Sequence, residues 1–181
     1  MDDFENINVE DLVNGNTVKK KKNGCRKGKT IERQLCKILT DHFKVSFTRS
    51  IGSGNRYGQV TLSETAKQVF TGDISVPDGF KWVIESKGGY DDIDMNSVFD
   101  GGITRLNKFI KQSLKDAEYC GRKPIICWKR SRKPWLVMIL LEDLYPFKEN
   151  IFLYRINYLD WLIVNLDDLL KETNGKFWFS N

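Results

Sequence analysis

"GDISVPDGFKWVIESK", Gly72 to Lys87, sets two apolar-rich runs on either side of a Pro-Asp-Gly turn signal, the pattern of a β-hairpin. With the turn centred near Gly79, Asp73 and Glu85 stand six residues from it on either side. On paired strands over 69–76 and 80–87 they would lie opposite each other, their Cβ atoms about 5 Å apart. Side chains alternate along a strand, so Asp73, Ser75, Val83, Glu85 and Lys87 share one face while Ile74, Val76, Trp82 and Ile84 share the other. One face is core. The other gathers two carboxylates and an amine, more charge than a purely structural hairpin beside aromatic and branched aliphatic residues needs, and this points to a site.

The rest of the chain frames that site. At 181 residues there is room for one domain with a real core and little room for two. Hydrophobic residues make up 40% and charged residues 29%, an ordinary globular balance. No apolar run approaches the roughly 18 to 20 residues of a membrane span, and the acidic, polar amino terminus does not read as a signal peptide. Cys25, Cys36, Cys120 and Cys127 show no CxxC spacing, and with His42 the lone histidine there is no zinc set. Reduced thiols in a cytoplasmic setting are the expectation. The single histidine also excludes HNH-type and other histidine-based nuclease chemistries. Net charge is +5, but it is unevenly spread. Lys19 to Lys22, Arg26, Lys27 and Lys29 crowd one segment, and Lys129, Arg130, Arg132 and Lys133 another; both could meet phosphate.

Residues 1–27 turn from acidic to basic with little apolar content, the composition of a flexible arm that supplies non-specific affinity. The spacing of Ile31, Leu35, Ile38, Leu39 and His42 predicts a helix over 30–42 with Thr30 as its N-cap. Lys44 to Arg49 alternates as a strand, "SIGSGNRYGQ" is a glycine-rich loop, and Leu62 to Gln68 reads as a short helix before the hairpin. Gly88 to Gly102 is a polar loop with four aspartates. It is no EF-hand, since Ser97 and Ile103 stand where that loop needs glycine and glutamate. Ile103 to Tyr119 returns to helical spacing and Gly121 ends it. Pro124 to Trp128 and Trp135 to Leu141 read as strands joined by "KRSRKP", followed by a strand or two within 151–164, a helix near 166–173 and an apolar "FWF" end. This order predicts an α/β fold: a mixed central β-sheet flanked by helices on both sides, with a C-terminal appendage.

Gly72-Asp73 followed on the next strand by Glu85-Ser86-Lys87 resembles the PD-(D/E)xK nuclease motif. By itself the motif is short, and an exposed Glu85–Lys87 ion pair worth under about 1 kcal/mol would be the simpler reading. Glu32 beside the apolar stripe of the first helix, the glycine-rich loop after the first strand, and the succession helix, glycine stop and buried strand downstream add context. Together they are similar to the archaeal-type Holliday junction resolvases of that superfamily over about residues 27–141. The resemblance implies a restriction-endonuclease-like core at 28–141, preceded by the arm at 1–27 and followed by an extension at 142–181. It departs from the family at Gly72, where the motif has proline, and in the insertion between Gly54 and Asp73.

The resemblance implies that Glu32, Asp73, Glu85 and Lys87 are catalytic, with Ser53 as the loop serine near the scissile phosphate. It assigns Mg²⁺, with Mn²⁺ as a substitute, to Asp73, Glu85, the Ser86 carbonyl and Glu32. DNA contacts fall to Arg49, Arg56, Lys27, Lys29 and the helix residue Gln112. The chemistry suits these residue types, because phosphodiester cleavage builds negative charge that hard oxygen ligands can offset through a cation, and a lysine can orient the attacking water. The implied activity is resolution of four-way DNA junctions by a homodimer, with no membrane involvement, and the Lys, Asn and Ile richness suits an AT-rich genome such as a phage's, acting in the host cytoplasm. The alternatives are a restriction or homing-type enzyme that reads sequence, and a non-catalytic DNA-binding module on the same scaffold.

Overall fold

The computed structural model describes residues 24–50, 71–94, 96, 102–144 and 155–180. Ser53, Arg56, most of the glycine-rich loop, the helix expected over 62–68 and the arm up to residue 23 lie outside them. The chain runs through α1 (Gly24–Phe43), β1 (Thr48–Arg49), β2 (Ile74–Ser75), β3 (Trp82–Gly88), α2 (Thr104–Cys120), β4 (Lys123–Lys129) and β5 (Trp135–Leu140). After a 3₁₀ turn (Leu141–Leu144) come β6 (Arg155–Tyr158), β7 (Trp161–Asn165), α3 (Leu166–Glu172) and α4 (Gly175–Trp178).

Five strands form one sheet in the order β3-β4-β5-β7-β6. β3 and β4 are parallel and joined by α2, which supplies the crossover that a parallel pair requires. The remaining pairs are antiparallel. Alternation assigns the side chains to two layers. Ile125, Cys127, Val137, Ile139, Leu162 and Val164 meet Leu35 and Leu39 of α1, Leu166 and Leu169 of α3, and Trp178 of α4. Ile126, Trp128, Met138, Trp161 and Ile163 meet Leu106, Phe109 and Ile110 of α2. With both faces covered, the strands "IICW", "WLVMIL" and "WLIV" carry almost unbroken apolar runs. The α/β fold with a mixed sheet and helices on both sides is therefore the observed one.

Four local expectations are corrected. α1 begins at Gly24, so Thr30 sits within the helix rather than capping it. The strand expected over 44–49 shrinks to Thr48–Arg49, because Lys44 adopts φ 60° and donates to Thr40 O (2.9 Å) as the helix closes, and Phe47 N donates to Thr40 Oγ1 (3.0 Å). The first hairpin arm reduces to Ile74–Ser75 and pairs with β1, not with β3. The turn does form, with Phe80 N on Pro77 O (3.2 Å) and Gly79 at φ 73°. Its outgoing arm, however, is taken by the C-terminal segment: Lys81 N donates to Trp178 O (2.8 Å), Ser180 N to Gly79 O (2.7 Å), and Phe80 bridges Phe179. The "FWF" end is thus core: Trp178 stacks on Phe80 and meets Phe43 edge-on, while Phe47 meets Phe80 edge-on and Phe43 at a tilt. The α2 helix ends as expected, at Gly121 in the left-handed conformation.

Gly72 explains its own departure from the motif's proline. Its φ of +84° is closed to proline, whose ring fixes φ near −65°, and a Cβ there would stand 2.9 Å from the carbonyl oxygen of Ile84. Gly72→Ala should therefore lower stability by about 1–3 kcal/mol, and a chain of this length loses about 2–4 °C of melting temperature per kcal/mol. Gly175→Ala, with nothing within 4 Å of the added carbon, should melt like the parent. Equal melting temperatures for the two variants would contradict this account of Gly72.

Candidate active site

Asp73 follows Gly72 and enters β2, where two hydrogen bonds fasten it to β3. Its N–H donates to Ile84 O (2.9 Å), and its Oδ2 accepts from Ser86 N (2.8 Å). Residues 84 and 86 flank Glu85, so Asp73 comes to lie beside Glu85 although β2 and β3 form no ladder. Ser50 N donates to Asp73 O (3.0 Å), so the β1–β2 pair holds Asp73 from its other side. The face assignment holds as well. Ile74, Trp82 and Ile84 join the α1 layer, while Val83 packs with Ala117 and Cys120 of α2.

Glu85 is 3% exposed. Its Oε1 accepts from Lys87 Nζ, two residues along the same face. Lys87 Nζ also donates to Gln112 Oε1 (2.8 Å) and stands 5.3 Å from the centre of the Phe109 ring. Phe109 and Gln112 are three apart on α2, hence on one side of the helix. The ammonium is thus held from two elements at once.

Burial pushes Glu85 up to about 8, reinforced by the Asp73 charge and opposed by Lys87. Burial likewise pushes Asp73 up to about 6, against the Ser86 N–H bond and with a raising contribution from Glu32. Asp116, half-buried on α2, is raised by burial and drawn down by Lys87, and its charge in turn raises both Asp73 and Glu85. Sequence reading missed Asp116 among the charges of "KQSLKDAEY". Its place four residues after Gln112, on the same helix side, is the signal that could have found it.

The other expected residues are placed as follows. Glu32 Oε2 accepts from Arg49 Nε, so these two form an ion pair at the α1–β1 junction, close enough for the Glu32 charge to act on Asp73. Lys27 and Lys29 are exposed on α1. Ser86 contributes its N–H to Asp73, and its buried hydroxyl has no hydrogen-bond partner among the described residues. Cys36, Cys120 and Cys127 are buried free thiols, with Cys127 pushed up to about 12 by burial, so none is poised as a nucleophile.

The residues present fit a hard divalent cation. Two carboxylates crowd a buried spot, and both are raised towards protonation, a conflict that a cation relieves. Among the described residues no three His, Cys, Asp or Glu side chains group as a complete metal set. Mg²⁺ does not need one, since it keeps several waters and uses one or two carboxylates.

A mixed sheet between helix layers, with an Asp, a Glu and a Lys together where β2 meets β3, defines a restriction-endonuclease-like α/β protein. The chain matches the family described as "Phage putative PDDEXK endonuclease" over residues 23–178, and it belongs to that family. Nucleases of the PD-(D/E)xK superfamily generally use divalent cations. The chain is also 29% identical over 129 residues to protein D14 of Escherichia phage T5, covering 69% of this chain and 74% of that one. No solved structure matches it significantly.

A raised carboxyl pKa contributes stability that is present below the unfolded value and lost as pH rises through the folded one. For Asp73 and Glu85 that window runs from about 4 to about 8. In EDTA the melting temperature should therefore fall between pH 5 and 8.5, and Glu85→Gln, permanently neutral, should flatten the fall and melt higher than the parent at pH 8. A melting temperature that rises through this window, or a Gln variant with the parent's slope, would contradict the buried-pair reading.

Proposed function

We propose that the chain is a metal-dependent DNA endonuclease acting on branched DNA, with four-way junctions as its preferred substrate, in the host cytoplasm. The observation that carries this reading is the grouping of Asp73, Glu85 and Lys87, with Asp73 fastened by its own side chain to the strand bearing the other two. The junction preference is supported by the motif succession over residues 27–141, and the homodimer follows from substrate symmetry, since a two-fold junction needs two matched cuts.

In this reading Asp73 and Glu85 hold the cation, with the Ser86 carbonyl as a third ligand. When bound, the ion offsets the charge that develops on the phosphate and on the leaving oxygen. Lys87 orients the attacking water and carries positive charge into the transition state. Gln112 and Phe109 keep the Lys87 ammonium in place when the Glu85 oxygen is committed elsewhere. Glu32, tied to Arg49, completes the acidic environment from α1.

The test is cleavage of a synthetic four-way junction beside a linear duplex of matched sequence, with and without Mg²⁺. Metal-dependent cutting of the junction should exceed that of the duplex. Asp73→Asn and Glu85→Gln should each lower the rate roughly a thousandfold or more, a loss of several kcal/mol of transition-state stabilisation, while DNA binding persists. Cutting of the duplex at defined sequences would favour a sequence-reading nuclease instead. Parent-like rates in either variant would end the assignment of the site.

A further inference from the structure

We propose that the β4–β5 turn, through Arg132 and Lys133, and Lys27 of α1 form one phosphate-gripping surface that holds nucleic acid beside the cutting site. The inference rests on the nuclease reading and extends it to a surface that the motif does not include. Two basic segments about a hundred residues apart in sequence meet at one end of the sheet. β4 runs parallel to β3 with Lys87 opposite Trp128 and Gly88 opposite Lys129, and Gly89 N donates to Lys129 O (2.8 Å). The turn after β4 therefore leaves the sheet at the end where Lys87 lies. Neighbouring strands are about 4.8 Å apart and the chain advances at most about 3.6 Å per residue, so the Arg132 backbone lies within about 16 Å of Gly88. A strand of DNA rises about 3.4 Å per nucleotide, which places that turn a few phosphates from one bound at Lys87.

Lys27 reaches the same place from the other layer. Its Nζ lies 3.3 Å from where a Cβ on Gly89 would be, against bare backbone at φ +85°. The turn itself is built rather than loose. Asp91 accepts from Ser131 N (2.6 Å) and from Ser131 Oγ (2.6 Å), and Arg130 Nη2 donates to Asp91 O (2.9 Å). Asp91 itself stays exposed; the Ser131 bonds, together with the Lys27 and Arg130 charges, hold it below the usual carboxylate range. The next one, Asp92, is paired with Arg105. Arg132 and Lys133 are exposed, and among the described residues neither is paired with a carboxylate. A fixed turn presenting unneutralised cations loses little conformational entropy when phosphate binds.

The experiment is a salt titration of binding in EDTA, full-length protein against a labelled four-way junction and a labelled duplex, for the parent, R132Q/K133Q, K27Q and K176Q. Each phosphate contact contributes about 0.9 to the slope of log K against log salt, so the double variant should lose about two units and K27Q about one. Affinity of the double variant at moderate salt should fall tenfold or more. K176Q lies at the opposite end of the sheet, where the Lys176 carbonyl accepts from Lys81, and should keep the parent slope. Slopes for R132Q/K133Q and K27Q within about half a unit of the parent would overturn the proposal. So would an equal loss in K176Q, which would mean diffuse charge rather than a surface. If the double variant does not melt like the parent, R132Q singly and K27Q decide by the same slopes. A parent that binds neither DNA would sink the nuclease reading itself, whereas a parent that binds with unchanged variants sinks only this surface.

Discussion

The pair of hydrogen bonds from Asp73 to β3, its N–H to Ile84 O and its carboxylate to Ser86 N, is the constraint on which the site depends. Without a ladder between β2 and β3, nothing else described on this edge sets the position of residue 73 against residue 85. The clamp requires the chain to arrive through a positive φ at Gly72, close enough to the Ile84 carbonyl that a side chain would collide. It also requires β1, since Ser50 N and the short β1–β2 pair brace Asp73 from outside. One arrangement of three backbone segments thus places a second carboxylate next to the buried Glu85.

That arrangement works against the stability of the protein and in favour of its chemistry. Burying Glu85 disfavours its charge, and the Asp73 charge adds to the penalty; Lys87 returns part of it through an ion pair in which both side chains are largely shielded from water. The strain is supported by a sheet whose two apolar faces are both covered and by an aromatic C-terminal end locked into the core through Trp82 Nε1 on Phe177 O (3.1 Å). Acidic groups raised in this way are matched to binding a cation, which converts like-charge repulsion into ligation.

Much of this was legible in residues 72–87. Alternation separated the faces of β3 correctly, and the spacing from Leu106 to Ala117 with Gly121 behind it located α2. What the sequence did not reveal are the long-range competitions. The outgoing arm of the hairpin pairs with residues 178–180, a partner a hundred residues away that local turn chemistry cannot announce. The start of α1 at Gly24, ahead of the expected 30, also escaped, and so did the left-handed Lys44 that cuts short the strand expected over 44–49, since lysine carries no propensity for that conformation. The resemblance assigns Gln112 to DNA, and the helix spacing does not announce the further contact that its side chain makes with Lys87. Asp116 escaped because one acid among lysines on an exposed-looking helix resembles a solvated pair.

The central claim is that Asp73 and Glu85 together bind one divalent cation, and calorimetric titration of the metal-free protein with Mn²⁺ tests it most directly. Ligation must displace protons from carboxyls raised to about 6 and about 8, so affinity should strengthen as pH rises from 6 to 8.5. Asp73→Asn and Glu85→Gln should each weaken binding by at least about tenfold, with the Gln variant also losing part of the pH dependence. Mn²⁺ binding of equal strength in the parent and both variants, or an affinity indifferent to pH across that range, would contradict the account.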